Sequence, residues 1–238
     1  ARLDTLRVRQ GDERASLSVF GRGLFAYEAL VHLLGKLEAT EPGRGHAAEA
    51  FDWAERARAR ALLDLLARSS SAQAPPRPLS LEQVQARLPD RKSAVLAYSL
   101  GDSSSSLWVV KRDRWQRVTL PTRARLRTRV EALRRLWSKP DPSESDRTRA
   151  ARLGGELSAQ ILDPALPWLG GVERLVVLPD GMLWTLPFEA LTFAGQQALA
   201  EGLQAERIAT VNACTICHPD LFFSYRRVII GLLIACPA

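Results

Sequence analysis

The composition of the 238-residue chain is that of a globular protein with one large domain or two small ones. Hydrophobic residues make up 46% of the chain and charged residues 25%, which excludes the disordered class. The formal net charge of +7 permits loose attraction to acidic partners. Most arginines, however, alternate with acidic residues or fall on predicted helix faces. We therefore do not expect nucleic-acid binding as the main function.

The positions of the cysteines and the first residues of the chain indicate the cellular compartment. All three cysteines follow residue 213 and make no disulfide framework, which predicts a reducing, cytoplasmic compartment. The chain begins at Ala1, its single methionine is Met182, and no signal-peptide pattern is visible. We therefore expect an internal piece of a larger cytoplasmic protein, with no membrane contact.

The first 68 residues are predicted to form a helical hairpin. Residues 24–38 carry an apolar stripe at spacings of three and four, formed by Tyr27, Leu30, Leu34 and Leu37. A break at Pro42, Gly43 and Gly45 precedes a second helix over about 47–68. Its predicted buried face consists of Phe51, Ala54, Ala61, Leu62, Leu65 and Leu66. Because one hairpin cannot bury both of its faces, residues 1–68 are predicted to end a solenoid that binds protein partners.

A Ser- and Pro-rich linker at 69–79 separates the hairpin from a different kind of sequence. Ser80 and Gln83 have the spacing of a capping box, which predicts a short helix through Leu88. The stretch from 80 to 196 is then predicted to be the first part of an α/β domain.

The pattern from residue 93 onward predicts a helix-covered sheet. The expected strands are 93–100, 107–112, 115–120 and 173–178, with a hairpin tip near Asp113, and the expected helices are 122–138 and 146–163. Pro179, Asp180 and Gly181 then turn the chain sharply. Sites in such sheets lie beyond the carboxyl ends of the strands. Further strands after residue 200 are hard to find, so we expect an unpaired sheet edge and poor order after about 195.

Three segments resemble a known family. They are EAFDWAERARARALLDLLA at 49–67, AVLAYSLGDSSSSLWVVKRDRWQRVTLP at 94–121 and ERLVVLPDGMLWTLPFEAL at 173–191. Together they resemble a CHAT domain preceded by the last helices of a tetratricopeptide-type array, over about residues 24–195. The PDG-x-L-x-x-LPFEAL stretch is the most specific of the three. The resemblance implies a caspase-like α/β fold, of which this chain would hold a partial, helix-covered sheet.

The resemblance also implies a peptidase chemistry that this chain does not carry. Members of the family resemble cysteine peptidases, with a His in a context like H-F-A-T-H-G and a Cys in a context like S-A-C-E-T-G. The imidazole is needed because a free thiol is only slightly ionised. After about residue 196 the pattern is lost: His32 and His46 lie in the helical array, and His218 directly follows Cys217. We assign no catalytic residue, cofactor or metal, and expect a non-catalytic interaction or regulatory piece. The alternative is a peptidase active only in the intact parent.

The tail at 197–238 is atypical, and its interpretation stays open. Cys214-Thr-Ile-Cys217-His218 matches the C-x-x-C-H spacing of c-type haem attachment, and a redox or zinc role for the two thiols is a further alternative to incidental cysteines. The apolar run at 226–236 is too short to cross a bilayer and predicts a buried strand. Disorder and non-native sequence, such as a frameshift product, are two further hypotheses for this tail.

Four other features have a structural interpretation beside a functional one. Trp108 and Trp115 could form a platform for bases, but a core aromatic pair is the simpler hypothesis. Asp180 and Glu189 could act in acid–base chemistry, but a turn former and a helix-start residue explain them as well. A solvated helix surface is the expectation for the basic segment of Arg123, Arg125, Arg127 and Arg129.

Overall fold

The computed structural model describes residues 13–67, 77–188, 191, 208–210 and 234–235. It is a mixed α/β structure that divides into two compact units, residues 1–71 and 72–238. No helix within those described stretches is both long and apolar enough to cross a membrane.

The first unit contains a hairpin of helices α1 (Glu13–Thr40) and α2 (His46–Ala67). Helix α2 agrees with its predicted bounds within one residue. The predicted start of the first helix at 24 is wrong, because α1 begins at Glu13. The glycines at 21 and 23 weaken the apolar periodicity there, but a glycine lowers helix propensity by only about 1 kcal/mol and need not end a helix.

The two helices pack through small and aromatic side chains. The buried apolar residues at this contact include Val31, Leu34, Ala47, Ala50, Phe51 and Ala54. Tyr27 and Trp53 add a tilted ring contact with centroids 5.7 Å apart. The loop is fixed by Glu38, whose carboxylate accepts the backbone N–H groups of Gly43 and Ala47, each at 3.0 Å. One of these is an orphan amide at the start of α2, so Glu38 joins the two helices.

The elements of the second unit are, in chain order, β1 (Arg77–Pro78), α3 (Leu81–Arg87), β2 (Ser93–Ser99), β3 (Ser105–Lys111), β4 (Trp115–Leu120), α4 (Arg123–Trp137), α5 (Glu144–Ile161), a 3₁₀ helix (Asp163–Trp168), β5 (Arg174–Leu178), a second 3₁₀ helix (Gly181–Thr185), β6 (Ile208–Thr210) and β7 (Ile234–Ala235). From α3 to β5, the strands and α-helices of the second unit follow the predicted order. The predicted strands and helices up to β5 agree with these bounds within two residues.

A five-stranded sheet with the order β4-β3-β2-β5-β6 forms the centre of this unit. Strands β2, β3 and β4 form the predicted antiparallel meander, and β5 lies parallel to β2. The expectation that later strands would be missing is wrong for this edge, because β6 pairs in parallel with β5. Strand β6 has only three residues, so pairing with β5 defines it rather than any local pattern. Strand β7, in the apolar run of the tail, pairs with β1 in a separate two-stranded sheet.

One face of the sheet carries the main core. Buried side chains from the strands (Leu96, Tyr98, Leu107, Val109, Leu175 and Val177) meet those of α4 and α5 (Leu126, Val130, Leu133, Leu157 and Ile161). Leu153 and Trp137 are half-buried beside this core. This packing holds α4 and α5 against one face of the sheet.

Candidate functional site

The carboxyl ends of β2 and β5 form the candidate site. These neighbouring strands are parallel, and Ala97 of β2 lies beside Leu178 of β5. Strands β2 and β5 are neighbours in the middle of the sheet. The strand that follows β2 in the chain, β3, lies on one side of this pair, and the strand that follows β5, β6, lies on the other side. The strand order therefore reverses between β2 and β5. In open α/β sheets this is the position of the ligand crevice.

Asp180 connects the turn after β5 to the end of β2. Its carboxylate accepts the backbone N–H of Leu100 at 2.6 Å. Leu100 is the first residue after β2, where the sheet ladder stops. Gly181 follows with φ +52°, a conformation that favours glycine. The Pro-Asp-Gly turn thus places a carboxylate where it accepts a hydrogen bond from an amide group beyond the end of the strand ladder.

Arg123 holds the opposite side of the same loop. Its guanidinium donates to the carbonyl of Leu100 at 2.5 Å and to the carboxylate of Asp102 at 3.2 Å. Its backbone N–H donates to the carbonyl of Gly101 at 2.9 Å. A Cβ on Gly101 would lie 2.4 Å from the carbonyl oxygen of Ser104, so only glycine fits this approach. Asp180 and Arg123 consequently hold the start of the loop between β2 and β3.

The chemistry available at this edge follows from these contacts. The Asp180 carboxylate and the Arg123 guanidinium both bind backbone groups, so each is engaged in holding the loop. Both histidines in the described part of the chain, His32 and His46, belong to α1 and α2 of the other unit. Among the residues that the structure describes, no three His, Cys, Asp or Glu side chains are placed to hold a metal ion. At the described edge, the Asp180 and Arg123 side chains therefore serve to hold the backbone around Leu100.

The amino ends of β2 and β5 are joined by a charged network. Asp90 accepts hydrogen bonds from the Arg174 guanidinium and from the Ser93 hydroxyl, at 3.0 Å for the hydroxyl. Desolvation of Asp90 opposes ionisation, but the hydrogen bonds from Arg174 and Ser93 outweigh it and lower the pKa of this carboxyl. Lys92 and Glu173 add an ion pair of 2.7 Å beside it. This network stabilises the strand pair at the end opposite the candidate site.

Two buried titratable side chains of the same unit, Tyr98 and Lys111, bind backbone carbonyls. The hydroxyl of Tyr98 donates to the carbonyl of Ile161 at 2.8 Å, and burial raises the pKa of this tyrosine. The ammonium of Lys111, a residue only 6% exposed, donates to the carbonyl of Gly170 at 2.9 Å. Desolvation, and secondarily the nearby Arg114, lower the pKa of Lys111. Tyr98 thus joins β2 to the last residue of α5, and Lys111 joins β3 to the segment that follows the first 3₁₀ helix. Both contacts stabilise the fold.

The tryptophans do not form a platform for bases. Trp108 is completely buried, so its ring is closed to a nucleic acid, and Trp115 is half-buried. In the β3–β4 register Trp108 lies opposite Arg117 and Trp115 opposite Val110, so the two rings are not a directly opposed pair. The base-binding hypothesis is therefore wrong for Trp108.

The four arginines of the basic segment differ from one another. Arg123 is half-buried in the loop contacts described above, and Arg129 lies 4.0 Å from Glu156 of α5. Arg125 and Arg127 are exposed, as expected for a solvated surface. Glu189, Cys214, Cys217, His218 and Cys236 lie outside the described residues, so the hypotheses on them stay predictions.

Comparison with known proteins gives one partial match. The family model of the multi-copper polyphenol oxidoreductase laccases matches residues 185–235, which is 51 of the 238 residues. The matched segment includes Cys214, Cys217 and His218. No curated protein matches the chain. The matched segment overlaps the last seven residues, 185–191, of the segment at 173–191 that resembles the CHAT family.

Sequence reasoning misses the polar contacts that fix the candidate edge. The sequence indicates that Asp180 is a turn former, but its bond to Leu100 joins residues 80 positions apart. The contact of Arg123 with the loop after β2 is likewise not visible in the sequence, because Arg123 is one of several arginines in the same basic segment. One signal is present: Arg123 immediately follows Thr122, a predicted helix start, and so differs in position from the other arginines.

Proposed function

We propose that the chain is a CHAT-type, caspase-like domain with a tetratricopeptide-type lead-in, and that it acts as a cytoplasmic protein-interaction or regulatory module without peptidase activity of its own. The observation that supports this proposal is how the two charged side chains at the carboxyl ends of β2 and β5 are bound. Asp180 and Arg123 there are bound to the backbone around Leu100. Neither side chain is oriented by, or orients, an imidazole among the described residues.

The helical hairpin supports an interaction role. Phe25 is 67% exposed and Leu33 is 53% exposed, and a spacing of eight places both on one side of α1. Large apolar side chains on a helix surface are typical of a face that another helix or a partner covers. Tetratricopeptide-type hairpins bury such faces against neighbours, which agrees with the proposed lead-in.

An activity-based probe tests the absence of a dyad. The purified chain would be treated with biotinylated peptidyl acyloxymethyl ketones carrying either a basic or an acidic residue next to the reactive group. We expect background labelling that is unchanged in His218→Ala. The matched variants Cys214→Ser, Cys217→Ser and Cys236→Ser identify any thiol that reacts. Labelling abolished both by one of these serine variants and by His218→Ala would contradict the proposal.

A second candidate function is metal or redox chemistry in the tail, favoured by the family match at 185–235. The whole chain has only three histidines, two of them in the helical unit, so its donors do not fit a multi-copper cluster. Two thiolates and one imidazole at Cys214, Cys217 and His218 fit a single soft or borderline ion better, such as Cu(I) or Zn²⁺. The same spacing fits haem attachment through two thioethers.

Metal analysis separates this candidate from the first. The chain would be purified, its bound copper and zinc measured, and Cu(I) affinity determined by competition with bicinchoninate. A stoichiometry near one ion per chain that is lost in Cys214→Ser/Cys217→Ser would support a metal site, and a visible absorption band that survives denaturation would support covalent haem. A copper and zinc content equal in the unchanged chain and the double variant would exclude the metal site, and the absence of a visible absorption band would exclude haem.

A further inference from the structure

Helix α1 exposes apolar side chains over about two turns. From residue 25 to residue 33 the exposed positions are Phe25, Ala29 and Leu33, and all three are apolar. Among the residues whose exposure the structure describes, Phe25 and Leu33 are the large apolar side chains that are exposed. Exposed positions of a surface helix are ordinarily polar, as Glu49 and Arg56 are on α2. Phe25, Ala29 and Leu33 are called the apolar ridge below.

The apolar ridge lies on the side of α1 that faces away from α2. Its members are four positions apart, so they fall within an arc of about 80° and span about 12 Å along the helix. Val31 and Leu34, which are buried in the hairpin, lie on the opposite side of α1. The ridge ends before Lys36, which is exposed on the same side of the helix. The apolar surface is therefore short and has a definite boundary at this end.

The order of side chains along the apolar ridge is symmetric. Ala29 is in the middle, with Phe25 four positions before it and Leu33 four positions after it. A two-fold axis beside Ala29 would place Phe25 of one copy against Leu33 of the other copy, twice. The small alanine at the centre allows the two helix axes to approach to about 8 Å, the near end of the usual range. The ridge is thus complementary to itself, as a two-fold interface between identical chains requires.

The exposed area decides how strong such a contact can be. A phenylalanine side chain buries about 150–250 Å² when it is fully covered. The exposed parts of Phe25 and Leu33 together therefore offer on the order of 200 Å² per copy. Stable, specific interfaces bury about 1,200–2,000 Å² in total. A contact through the apolar ridge is consequently weak and reversible.

We propose that a second copy of this chain docks on the apolar ridge, so that two α1 helices pack antiparallel across a two-fold axis beside Ala29 in a weak dimer. A small residue with a large one at equal spacing on each side needs the same arrangement in reverse order on the helix that covers it, and a second copy supplies it. Position 36 then lies opposite position 22 of the other copy, and both carry a cation, Lys36 and Arg22. Salt should therefore strengthen the contact by screening this repulsion. This inference rests on the proposed interaction role and names the partner.

Analytical ultracentrifugation of the full chain tests the self-association. We expect the average mass to rise between about 20 µM and about 500 µM protein, as mass action requires of a weak dimer. Phe25→Glu and Leu33→Lys are each expected to lower the association constant at least about tenfold, because each places a charge against an apolar side chain. Ala39→Glu is the matched control, since it adds a charge at an exposed position of α1 outside the apolar ridge. Its association constant is expected to stay within about twofold of that of the unchanged chain.

A mixture of the two variants tests the register of the helices. When a Phe25→Glu chain pairs with a Leu33→Lys chain, the two-fold arrangement brings the introduced carboxylate opposite the introduced ammonium group and keeps one contact between Phe25 and Leu33. An equimolar mixture is therefore expected to associate about threefold more strongly than either variant alone. A parallel arrangement or non-specific contact would gain nothing from mixing, because positions 25 and 33 would not meet.

Cysteine cross-linking locates the axis. In a chain that carries Cys214→Ser, Cys217→Ser and Cys236→Ser, Ala29→Cys is expected to form an intermolecular disulfide under mild oxidation, because helices that cross there bring the two Cα atoms within about 7 Å. Ala39→Cys is the matched control, an exposed alanine of α1 that lies about 15 Å along the helix from Ala29, and it is expected to stay unlinked. Thermal melts of these variants are expected to match those of the serine-substituted chain, because both alanines are exposed.

Three results would overturn the inference: a monomer mass at every concentration, a mixture no more associated than its two components, or equal cross-linking of Ala29→Cys and Ala39→Cys. A monomer mass throughout would leave the apolar ridge to a helix of another protein. Failure of this inference is distinguishable from failure of the proposed function. Probe labelling that depends on His218 contradicts only the latter, whereas a monomeric chain without such labelling contradicts only this inference.

Discussion

The bond between Asp180 and Leu100 should make a measurable contribution to the stability of the second unit. In Asp180→Ala the carboxylate is lost, and the part-buried N–H of Leu100, now 2.6 Å from its acceptor, is left without that partner. Hydrogen bonds to charged groups contribute about 1.5–3 kcal/mol, so we expect the free energy of unfolding to fall by about 2 kcal/mol. With a urea dependence of about 2 kcal/mol/M, the midpoint would fall by about 1 M.

Urea unfolding followed by tryptophan fluorescence is a suitable assay, because the completely buried Trp108 reports on this sheet. Asp180→Asn keeps an oxygen acceptor and should recover part of the loss. Asp102→Asn is the matched control, since that carboxylate is 70% exposed and pairs with Arg123 at 3.2 Å. An exposed pair of this kind contributes at most about 1 kcal/mol. Equal midpoints for Asp180→Ala and Asp102→Asn would refute the structural role of Asp180.

Three further outcomes follow from the core and the charged groups. The hydrogen bonds from Lys139 and Ser143 lower the pKa of Asp146 to about 2, so its stabilising effect should be lost as the pH falls from about 4 to about 2, and Asp146→Asn should remove that dependence in urea midpoints measured across this range. Desolvation lowers the pKa of Lys111, so below about pH 10.5 the folded chain binds fewer protons than the unfolded chain, and stability should rise as the pH approaches that value; Lys111→Met should flatten this rise in thermal melts. Leu133→Ala, at a completely buried position, should lower the free energy of unfolding by about 2–5 kcal/mol in urea melts, and a loss no larger than that of an alanine at a surface site of α4 would contradict its place in the core.

The local elements of the second unit could be predicted because each has a strong signal in a short stretch of sequence. The apolar run at 93–99 has no helical period, and the tip of the next hairpin contains Asp113, where Lys111 and Arg114 share a backbone hydrogen bond of 2.8 Å. Ser80 and Gln83 predict the start of α3 through a capping box that the structure contains. In each case the residues that decide the structure are neighbours in the chain.

The contacts that build the candidate edge could not be predicted in this way. Asp180 and Leu100 are 80 positions apart, and Lys111 meets Gly170 across 59 positions. Strand β6 could not be found because three residues carry no usable period and its pairing with β5 is long-range. The resemblance to the CHAT family and the hypotheses on Cys214 and Cys217 remain predictions.

The structural role of Asp180 changes what the most specific motif of the chain can be taken to mean. A parallel strand that ends beside a turn leaves an amide beyond the ladder, and the Pro-Asp-Gly turn supplies a carboxylate to that amide at Leu100. Such a residue is useful to any sheet of this topology, whether or not catalysis takes place above it. The motif therefore supports a shared scaffold more strongly than a shared reaction. Under the proposed function, the difference between a peptidase and an interaction module depends on residues after 196, which the probe-labelling and metal-binding experiments test.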